Sequence, residues 1–558
     1  METDSPLVKP DIVFIEDLLG EIAQGMLRVP RFQRPFVWKP KDMLNLFDSI
    51  YKGYPIGSLL FWESSVSVEN LGYVGPIDIP DPGILPLTYI LDGHQRLATL
   101  FGALCLPQNA SSGTRQRDWQ WWVWFDLKNK EFVHVTRNKP APWLFPIRAV
   151  QRTVDFLAQA RRIMSECPNE GSDFIEEAEQ LAQKIKNYKV AITRIKGGSL
   201  EQAVTIFSRL NTLGVSMTPD QMVSALTYRE DGKSIHLAER IDQILERLSE
   251  YHFGNIKRLT VLHAIVAASG KNIHRSEWEN IAERLMPKLA EAADQAEISL
   301  FHAAWFLREF LHVPGDRLLP YTYQILMLSE FFRLCLYWDD DQKTYQLNWN
   351  EDQKNTLIKW FWCTSLSGWF AGQNTANINN GINEMRRLAR GEISTLEFMP
   401  MNAPARPFPD RFYLLSARVR SFILFMLSLN PLDPAIGSPL DKAHIFHENG
   451  NQAMTYIFPR IKRELKASPA NRILLERVPE KPVKDQILSV KPEFKSEVLA
   501  SHGIPYDAFN ALSQNNAEKF IDIRAQYLAQ VERDFISNLG IPPAEEIIGE
   551  TDIDTDGP

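Results

Sequence analysis

The chain has 558 residues, a length that fits about three or four domains at roughly 150 residues each. Hydrophobic residues make up 44% and charged residues 23%, the composition of a globular protein able to bury large cores. The formal net charge of −8 argues against a protein that coats nucleic acid non-specifically, but it is compatible with a local basic groove, because the field at a site depends on nearby charges.

The cysteines and the N-terminal sequence indicate the compartment. The four cysteines lie far apart without CxxC spacing, which argues against a cysteine-based zinc site and fits reduced thiols in a cytosolic protein. The N-terminus shows no basic-then-apolar signal pattern, and no apolar run approaches about 18 residues. We therefore expect a cytoplasmic protein with no membrane association.

The first 230 residues or so show the pattern of a mixed α/β domain. A helix is predicted around Met43, Phe47 and Ile50, which share one face, and Gly53 would end it. Strands are predicted at 56–63, 88–91 and 189–197, and a hairpin at 119–136 with its turn at 128–130.

The stretch "RVPRFQRPFVWKPK" (28–41) combines bases with aromatic rings. It contains Phe32, Phe36 and Trp38 and no acid, and its bases are Arg28, Arg31, Arg34, Lys39 and Lys41. Such a combination suits a nucleotide or a nucleic-acid backbone, because cations bind phosphate and rings stack on bases. The alternative is a solvated, irregular arm.

An Asp-Gly corner follows in "YILDGHQRLATLFGALC" (89–105). If 95–105 is helical, its apolar face packs inward and its first turn presents backbone N–H groups beside Arg96, which together make a phosphate seat. Asp92 could then hold Arg96 in position, bind a metal or orient water. The alternative is that Asp92 caps the helix and Arg96 forms a surface salt bridge.

A third stretch, "FSRLNTLGVSMTPDQM" (207–222), contains a helix start at Thr218-Pro219. Arg209 and Asn211 end the preceding helix, from which they could reach into a cleft. The alternative is a plain helix–loop–helix.

Taken together, "FQRPFVW", "SIYKGYPIGSLLFWE", "ILDGHQRLATL" and "IFSRLNTLGVSMTPDQ" resemble the successive motifs of the domain-of-unknown-function 262 family, whose hallmark corner reads DGQQR. The resemblance covers about residues 10–230. It implies a ParB/sulfiredoxin-like, NTP-binding and often NTP-hydrolysing domain, found in anti-phage systems that include modification-dependent GmrS/GmrD-type restriction enzymes.

The same resemblance implies roles for individual residues. Asp92 would be catalytic. His94 replaces the first Gln of the hallmark, and an imidazole can still donate or accept a hydrogen bond. The nucleotide-binding residues would be Gln33, Arg34, Gly93, His94, Gln95, Arg96, Arg209 and Asn211.

Helical periodicity dominates the next two hundred residues, and a third folded segment follows. We expect a helical linker or bundle at 231–430, a domain at 431–540 that ends in a helix around 516–537, and a disordered acidic tail at 541–558. The overall class is therefore predicted to be α+β.

The C-terminal segment contains "SPLDKAHIFHENG" (438–450) and "PANRILLERV" (469–478). A His in a β-like stretch, followed by an Asn that opens a second one, suits an HNH nuclease, in which a His deprotonates water beside one divalent metal. The stretch resembles the HNH-like (ββα-metal) domain of unknown function 1524. The resemblance implies His444 as general base and Asn471 in the metal site, with Mg²⁺ or Mn²⁺ as cofactor.

Two departures from that family concern the metal. Ala443 stands where the family has an acid or His ligand, and His447 replaces its usual Pro. Asp441 or His447 could supply the missing ligand, giving Asp441, His447 and Asn471 as the candidate set. Without them the site would lack one ligand.

The sequence thus favours an NTP-regulated DNA endonuclease that acts on modified or phage DNA, as a homo-oligomer or with a defence-system partner. The alternative is a nucleotide-dependent DNA-binding or regulatory protein with an inactive HNH-like domain. A third hypothesis places DNA nicking in the N-terminal domain itself.

Overall fold

A computed structural model shows two compact units, divided between Ala238 and Glu239, close to the expected boundary at 230. The segments expected as separate domains at 231–430 and 431–540 lie in the second unit. The structure describes the chain except for residues 1–5, 32, 34–35, 66, 107–117, 136–139, 199–201, 204–205, 207–236, 274–287, 400, 477–480 and 551–558.

The first unit is built on a mixed six-stranded sheet in the order β1-β11-β3-β7-β2-β4. Its strands are β1 (Leu7–Phe14), β2 (Leu27–Pro30), β3 (Leu59–Ser64), β4 (Asn70–Leu71), β7 (Leu87–Asp92) and β11 (Lys189–Lys196). The smaller strands are β5 (Tyr73–Val74) and β6 (Ile77–Asp78), which pair with each other, and β8 (Val123–Asp126), β9 (Glu131–His134) and β10 (Leu144–Pro146), which form a three-stranded sheet. The helices are α1 (Ile15–Ala23), α2 (Pro40–Tyr51), α3 (His94–Cys105), α4 (Thr153–Glu166) and α5 (Gly171–Lys186).

The central strands β3 and β7 bury both of their faces. Phe61 and Ile90 point into the main core with the helices, whereas Trp62 and Tyr89 point to a smaller core on the opposite face. Successive side chains of a strand alternate between faces, so a strand covered on both sides reads as a continuous apolar run, as "LLFW" and "YIL" do. The corner after β7 is therefore anchored in the centre of the sheet.

Several local predictions are confirmed in this unit. The helix α2 buries Met43, Phe47 and Ile50, and the hairpin β8–β9 turns at 127–130 with Lys130 at a φ of 56°. The strand β11 matches the prediction at 189–197.

The second unit is mainly helical. Its helices, counted from residue 237, are Leu237–Leu248, Arg258–Ala268, Leu289–Glu309, Thr322–Cys335, Glu351–Ser367, Thr375–Ala389, Ala417–Ser428, Lys442–Asn449, Arg463–Ala467, Val483–Leu488, Lys495–Ser501, Tyr506–Ser513 and Ala517–Asn538. Its strands form three pairs, Leu336–Asp339 with Thr344–Leu347, Phe408–Pro409 with Ile548–Gly549, and Met454–Tyr456 with Arg472–Leu474. The mixed α/β architecture of the two units confirms the coarse class expected from the sequence.

Two local expectations for this unit are wrong. The stretch around His444 is a helix and not a strand. Part of the tail expected to be disordered is ordered, because Ile548–Gly549 pairs in parallel with Phe408–Pro409. None of the helices in the described ranges combines the length and the hydrophobicity needed to cross a lipid bilayer.

Candidate functional site

The Asp-Gly corner joins the end of β7 to the start of α3. Gly93 occupies the left-handed region, with φ 94° and ψ 9°, a conformation that side-chain-bearing residues rarely adopt. This turn reverses the chain from the sheet centre directly into a helix that buries the predicted positions Leu97, Leu100 and Phe101. The N-terminus of α3 therefore lies at the carboxyl end of a central strand.

Asp92 does not cap this helix, so the capping alternative is wrong. Its Oδ2 accepts a hydrogen bond from Arg96 Nη2 at 2.9 Å, and α3 has no side-chain cap. The Arg96 Nη1 donates to the Ile56 carbonyl at 2.8 Å. The side chain of Arg96 is only 16% exposed, so this is a partly buried ion pair and not a mobile surface salt bridge.

Close packing around the guanidinium requires glycine. Gly57 has a φ of 84°, and a Cβ at this position would lie 2.5 Å from Arg96 Nη1. A Cβ at Gly93 would lie 3.4 Å from Arg96 Nη2. The stretch "YPIG" thus supplies a carbonyl acceptor for Arg96 and leaves space for its guanidinium. The motif is part of the family resemblance, but the sequence by itself does not predict this role.

Gln33, Val37 and Trp38 form hydrogen bonds to the same corner. Gln95 Oε1 accepts hydrogen bonds from the backbone N–H of Val37 (2.8 Å) and of Trp38 (3.3 Å). Gln33 is buried, and its Nε2 donates to the Leu91 carbonyl at 2.6 Å. Three of the four sequence motifs therefore meet within hydrogen-bonding distance of one strand-to-helix turn.

In the described part of the stretch 28–41, two of the bases, Arg28 and Arg31, have partners within the fold. Arg28 is 5% exposed and donates to the carbonyls of Gly25 and Pro80, and Arg31 pairs with Glu69. The ring of Phe36 contacts Trp121, with 4.7 Å between centroids. These side chains are committed to the fold, because a buried guanidinium needs local acceptors.

Of the remaining predicted nucleotide-binding residues, one is buried and three lie outside the described residues. The side chain of His94 is 6% exposed and lies beneath the corner. Arg34, Arg209 and Asn211 lie outside the described residues. What the described corner offers is one oriented guanidinium, one carboxylate and a helix N-terminus, an arrangement that can bind phosphate oxygens.

The predicted nuclease residues lie in the second unit. Asp441 precedes the helix Lys442–Asn449 and caps it, since its Oδ1 accepts from the His444 backbone N–H at 3.0 Å. The side chains of His444 and His447 are exposed on this helix. The helix therefore presents two imidazoles to solvent, three residues apart.

The side chain of Asn471 stabilises the fold through hydrogen bonds to the backbone of Phe458. It is fully buried; its Oδ1 accepts from the Phe458 backbone N–H at 2.9 Å, and its Nδ2 donates to the Phe458 carbonyl at 3.1 Å. The amide thus closes the loop between the strands Met454–Tyr456 and Arg472–Leu474. Both polar atoms of the amide are therefore used by the loop.

The residues present do not fit the metal site that the resemblance implies. Ala443 has no ligand atom, and the amide of Asn471 is occupied by Phe458. Within the described ranges, no group of three or more His, Cys, Asp or Glu side chains could hold a metal ion.

His252 is a neighbour of the predicted site that sequence reasoning missed. Burial, followed by the charges of Arg308 and His447, lowers the pKa of His252, against the opposing effect of Asp316 and Asp441. Burial also lowers the pKa of Lys442. The helix that bears His444 therefore faces further ionisable groups from the helical segment, and no local signal around residue 252 indicates this.

Two comparisons relate the chain to known proteins. Residues 15–228 match the family model of the GmrSD restriction endonuclease N-terminal domain. The chain is also 24% identical over 403 residues to the uncharacterized protein MJ0686 of Methanocaldococcus jannaschii, a match that covers 66% of each chain. The first match covers less than half of the chain and supports a likeness of its N-terminal part to GmrSD-type restriction proteins.

Proposed function

We propose that this protein is an NTP-dependent, restriction-type DNA endonuclease of anti-phage defence, with a ParB-like N-terminal domain that binds the nucleotide at the Asp92–Arg96 corner. The observation that carries the proposal is the meeting of three motifs at the Asp92–Arg96 corner. Arg96 is bonded to Asp92 and Ile56, and Gln95 accepts from Val37. A plain turn would not need this convergence.

Phosphate binding at the corner follows from its donors. Arg96 uses one N–H for Asp92 and one for Ile56, out of the five that a guanidinium carries. The remaining donors and the N-terminus of α3 would bind the phosphate oxygens. Asp92 Oδ1, which has no hydrogen-bond partner within the described ranges, would orient the attacking water during NTP hydrolysis.

DNA cleavage is assigned to the second unit, with His444 as the general base. Its imidazole is exposed, and the Asp441 cap fixes the first turn of its helix. A base must reach the water it deprotonates, and an exposed side chain on a short capped helix meets that need. Because the implied metal site is incomplete, no step of this proposal passes through a metal.

The test is a cleavage assay on the purified full chain. Unmodified DNA and phage DNA with modified bases are incubated with and without NTP, and with and without Mg²⁺ or Mn²⁺. We expect NTP-dependent cleavage by the wild type, and none by His444→Ala or Arg96→Ala. Absence of cleavage under every condition, or undiminished cleavage by His444→Ala, would contradict the proposal.

A second candidate is a nucleotide-dependent DNA-binding or regulatory protein whose C-terminal segment no longer cuts. Ala443 and the occupied amide of Asn471 favour it. It predicts nucleotide-dependent DNA association without strand scission in the same assay. Nicking by the N-terminal domain, the third hypothesis, predicts activity that is lost in Asp92→Ala and retained in His444→Ala.

A further inference from the structure

A cavity of about 260 Å³ opens in the second unit beside the helix that bears His444. Its walls come from the turn after Leu237–Leu248, from the loop 314–318 and from Lys442–Asn449. The side chains that can bind a ligand there are His252, Asn255, Asp316, Arg317 and His447. The cavity thus joins the helical segment to the predicted nuclease segment.

Two imidazoles from distant parts of the chain meet at this cavity. The rings of His252 and His447 lie 5.2 Å apart between centroids, inclined by 37°. His252 has a φ of 64°, in the left-handed region that non-glycine residues enter at an energetic cost. His252 is the C-cap of the short 3₁₀ turn Ser249–Tyr251.

Close backbone packing holds this wall. A Cβ at Gly315 would lie 2.7 Å from the His252 carbonyl oxygen, and the Asp316 backbone N–H donates to the same oxygen at 3.1 Å. The Asp316 carboxylate accepts from the Asn255 backbone N–H at 2.7 Å. Asp316 therefore stabilises the loop, and its negative charge is partly compensated there.

The positive charge of Arg317 reaches the opposite wall. A Cβ at Gly450, which ends the helix Lys442–Asn449, would lie 2.4 Å from Arg317 Nη1. A guanidinium at the C-terminal end of a helix is favoured by the exposed carbonyls. The guanidinium is also a planar group with several N–H donors, and Arg317 lines the cavity.

We propose that this cavity binds a phosphodiester group of the DNA backbone, with Arg317 and His252 as ligands to its oxygens and His447 on the opposite side. The proposal rests on the DNA endonuclease function proposed above and extends it, because it assigns part of the substrate site to the helical segment. Arg and His are suitable donors to phosphate, and a cavity of this size admits one phosphate with its flanking atoms.

The experiment measures binding of a fluorescein-labelled DNA duplex to the full chain at several salt concentrations. Arg317→Ala removes the guanidinium, and Arg317→Lys replaces it with an ammonium group that keeps the positive charge. His252→Asn keeps a residue that tolerates the left-handed conformation. Arg390→Ala is the matched control, because Arg390 is an exposed arginine that does not line the cavity and lies near Glu392 at 3.6 Å. Inorganic phosphate is titrated as a competitor.

We expect Arg317→Ala to weaken DNA binding about tenfold and to reduce the slope of log K against log salt by about one. His252→Asn weakens binding less, and Arg390→Ala leaves it unchanged. Unchanged DNA binding in Arg317→Ala and His252→Asn would overturn the proposal. So would a variant in which phosphate no longer competes with DNA although the affinity for DNA is unchanged. ATP binding, measured on the same samples, tests the Arg96 corner separately, so each proposal can fail alone.

Discussion

Arg96 and Asp92 are joined by a 2.9 Å hydrogen bond between Nη2 and Oδ2 across the turn from β7 to α3. The Ile56 carbonyl fixes the other side of the guanidinium. Arg96 is therefore oriented before any ligand arrives. A cation held in place by the fold loses less side-chain entropy on binding a phosphate than a free surface arginine does.

The first prediction separates binding from hydrolysis at this corner. Asp92→Asn keeps an oxygen acceptor for Arg96 but removes the charge, so we expect nucleotide affinity within about threefold of wild type and a large loss of NTP hydrolysis. Arg96→Ala removes the phosphate ligand and should weaken nucleotide binding by more than about tenfold. Calorimetry and phosphate release measure the two quantities. Full hydrolysis by Asp92→Asn would exclude a catalytic Asp92.

The second prediction uses two glycines with similar backbones. Gly53 and Gly57 have φ values of 72° and 84°, so alanine at either position should cost about 1–2 kcal/mol of unfolding free energy. Only at Gly57 does the new methyl meet Arg96, at 2.5 Å. We expect a lower urea midpoint for Gly57→Ala than for Gly53→Ala, and weakened nucleotide binding in Gly57→Ala alone. Equal nucleotide binding in the two variants would show that the position of Arg96 is unimportant.

The third prediction concerns the buried amide of Asn471. Asn471→Ala leaves the Phe458 N–H and carbonyl without partners, which should cost about 2–3 kcal/mol of unfolding free energy. Asn449→Ala, in the same segment, removes one partly exposed bond to Ile445 and should cost less than about 0.5 kcal/mol. Urea unfolding measures both. A metal role would instead appear as wild-type stability combined with loss of stabilisation by Mn²⁺.

The fourth prediction concerns acid stability. Burial lowers the pKa of His263 and of His502 to about 4, and the Leu432 carbonyl opposes this shift at His502. Because the folded pKa lies below the unfolded value of about 6.5, the unfolded chain binds protons more readily, and stability falls as the pH drops from about 6.5 towards 4. Each His should cost about 2 kcal/mol by pH 5.

The variants His263→Gln and His502→Gln test this mechanism. Each removes one titrating group, so the urea midpoint should depend less steeply on pH between 7 and 5, and the double variant should show the shallowest dependence. A double variant with the wild-type pH dependence would assign the acid sensitivity to other groups.

Sequence reasoning succeeded where structure is governed by neighbours along the chain. The helix α3 buries Leu97, Leu100 and Phe101, as helical periodicity predicts, and the final helix Ala517–Asn538 matches the expected 516–537. In these cases the determining interactions lie within a few residues.

Contacts between residues that are distant in the sequence could not be predicted in this way. The Ile56 carbonyl, which binds Arg96, is 40 residues away, and Pro80, which binds Arg28, is 52 residues from it. His252 and His447 meet only because the helical segment folds beside the helix Lys442–Asn449. The sequence by itself determined where the main helices and strands of the first unit lie, because residue type and periodicity are local. Only the tertiary structure decided which charges are neutralised and buried and which imidazoles share a cavity, because those properties depend on contacts that close long loops.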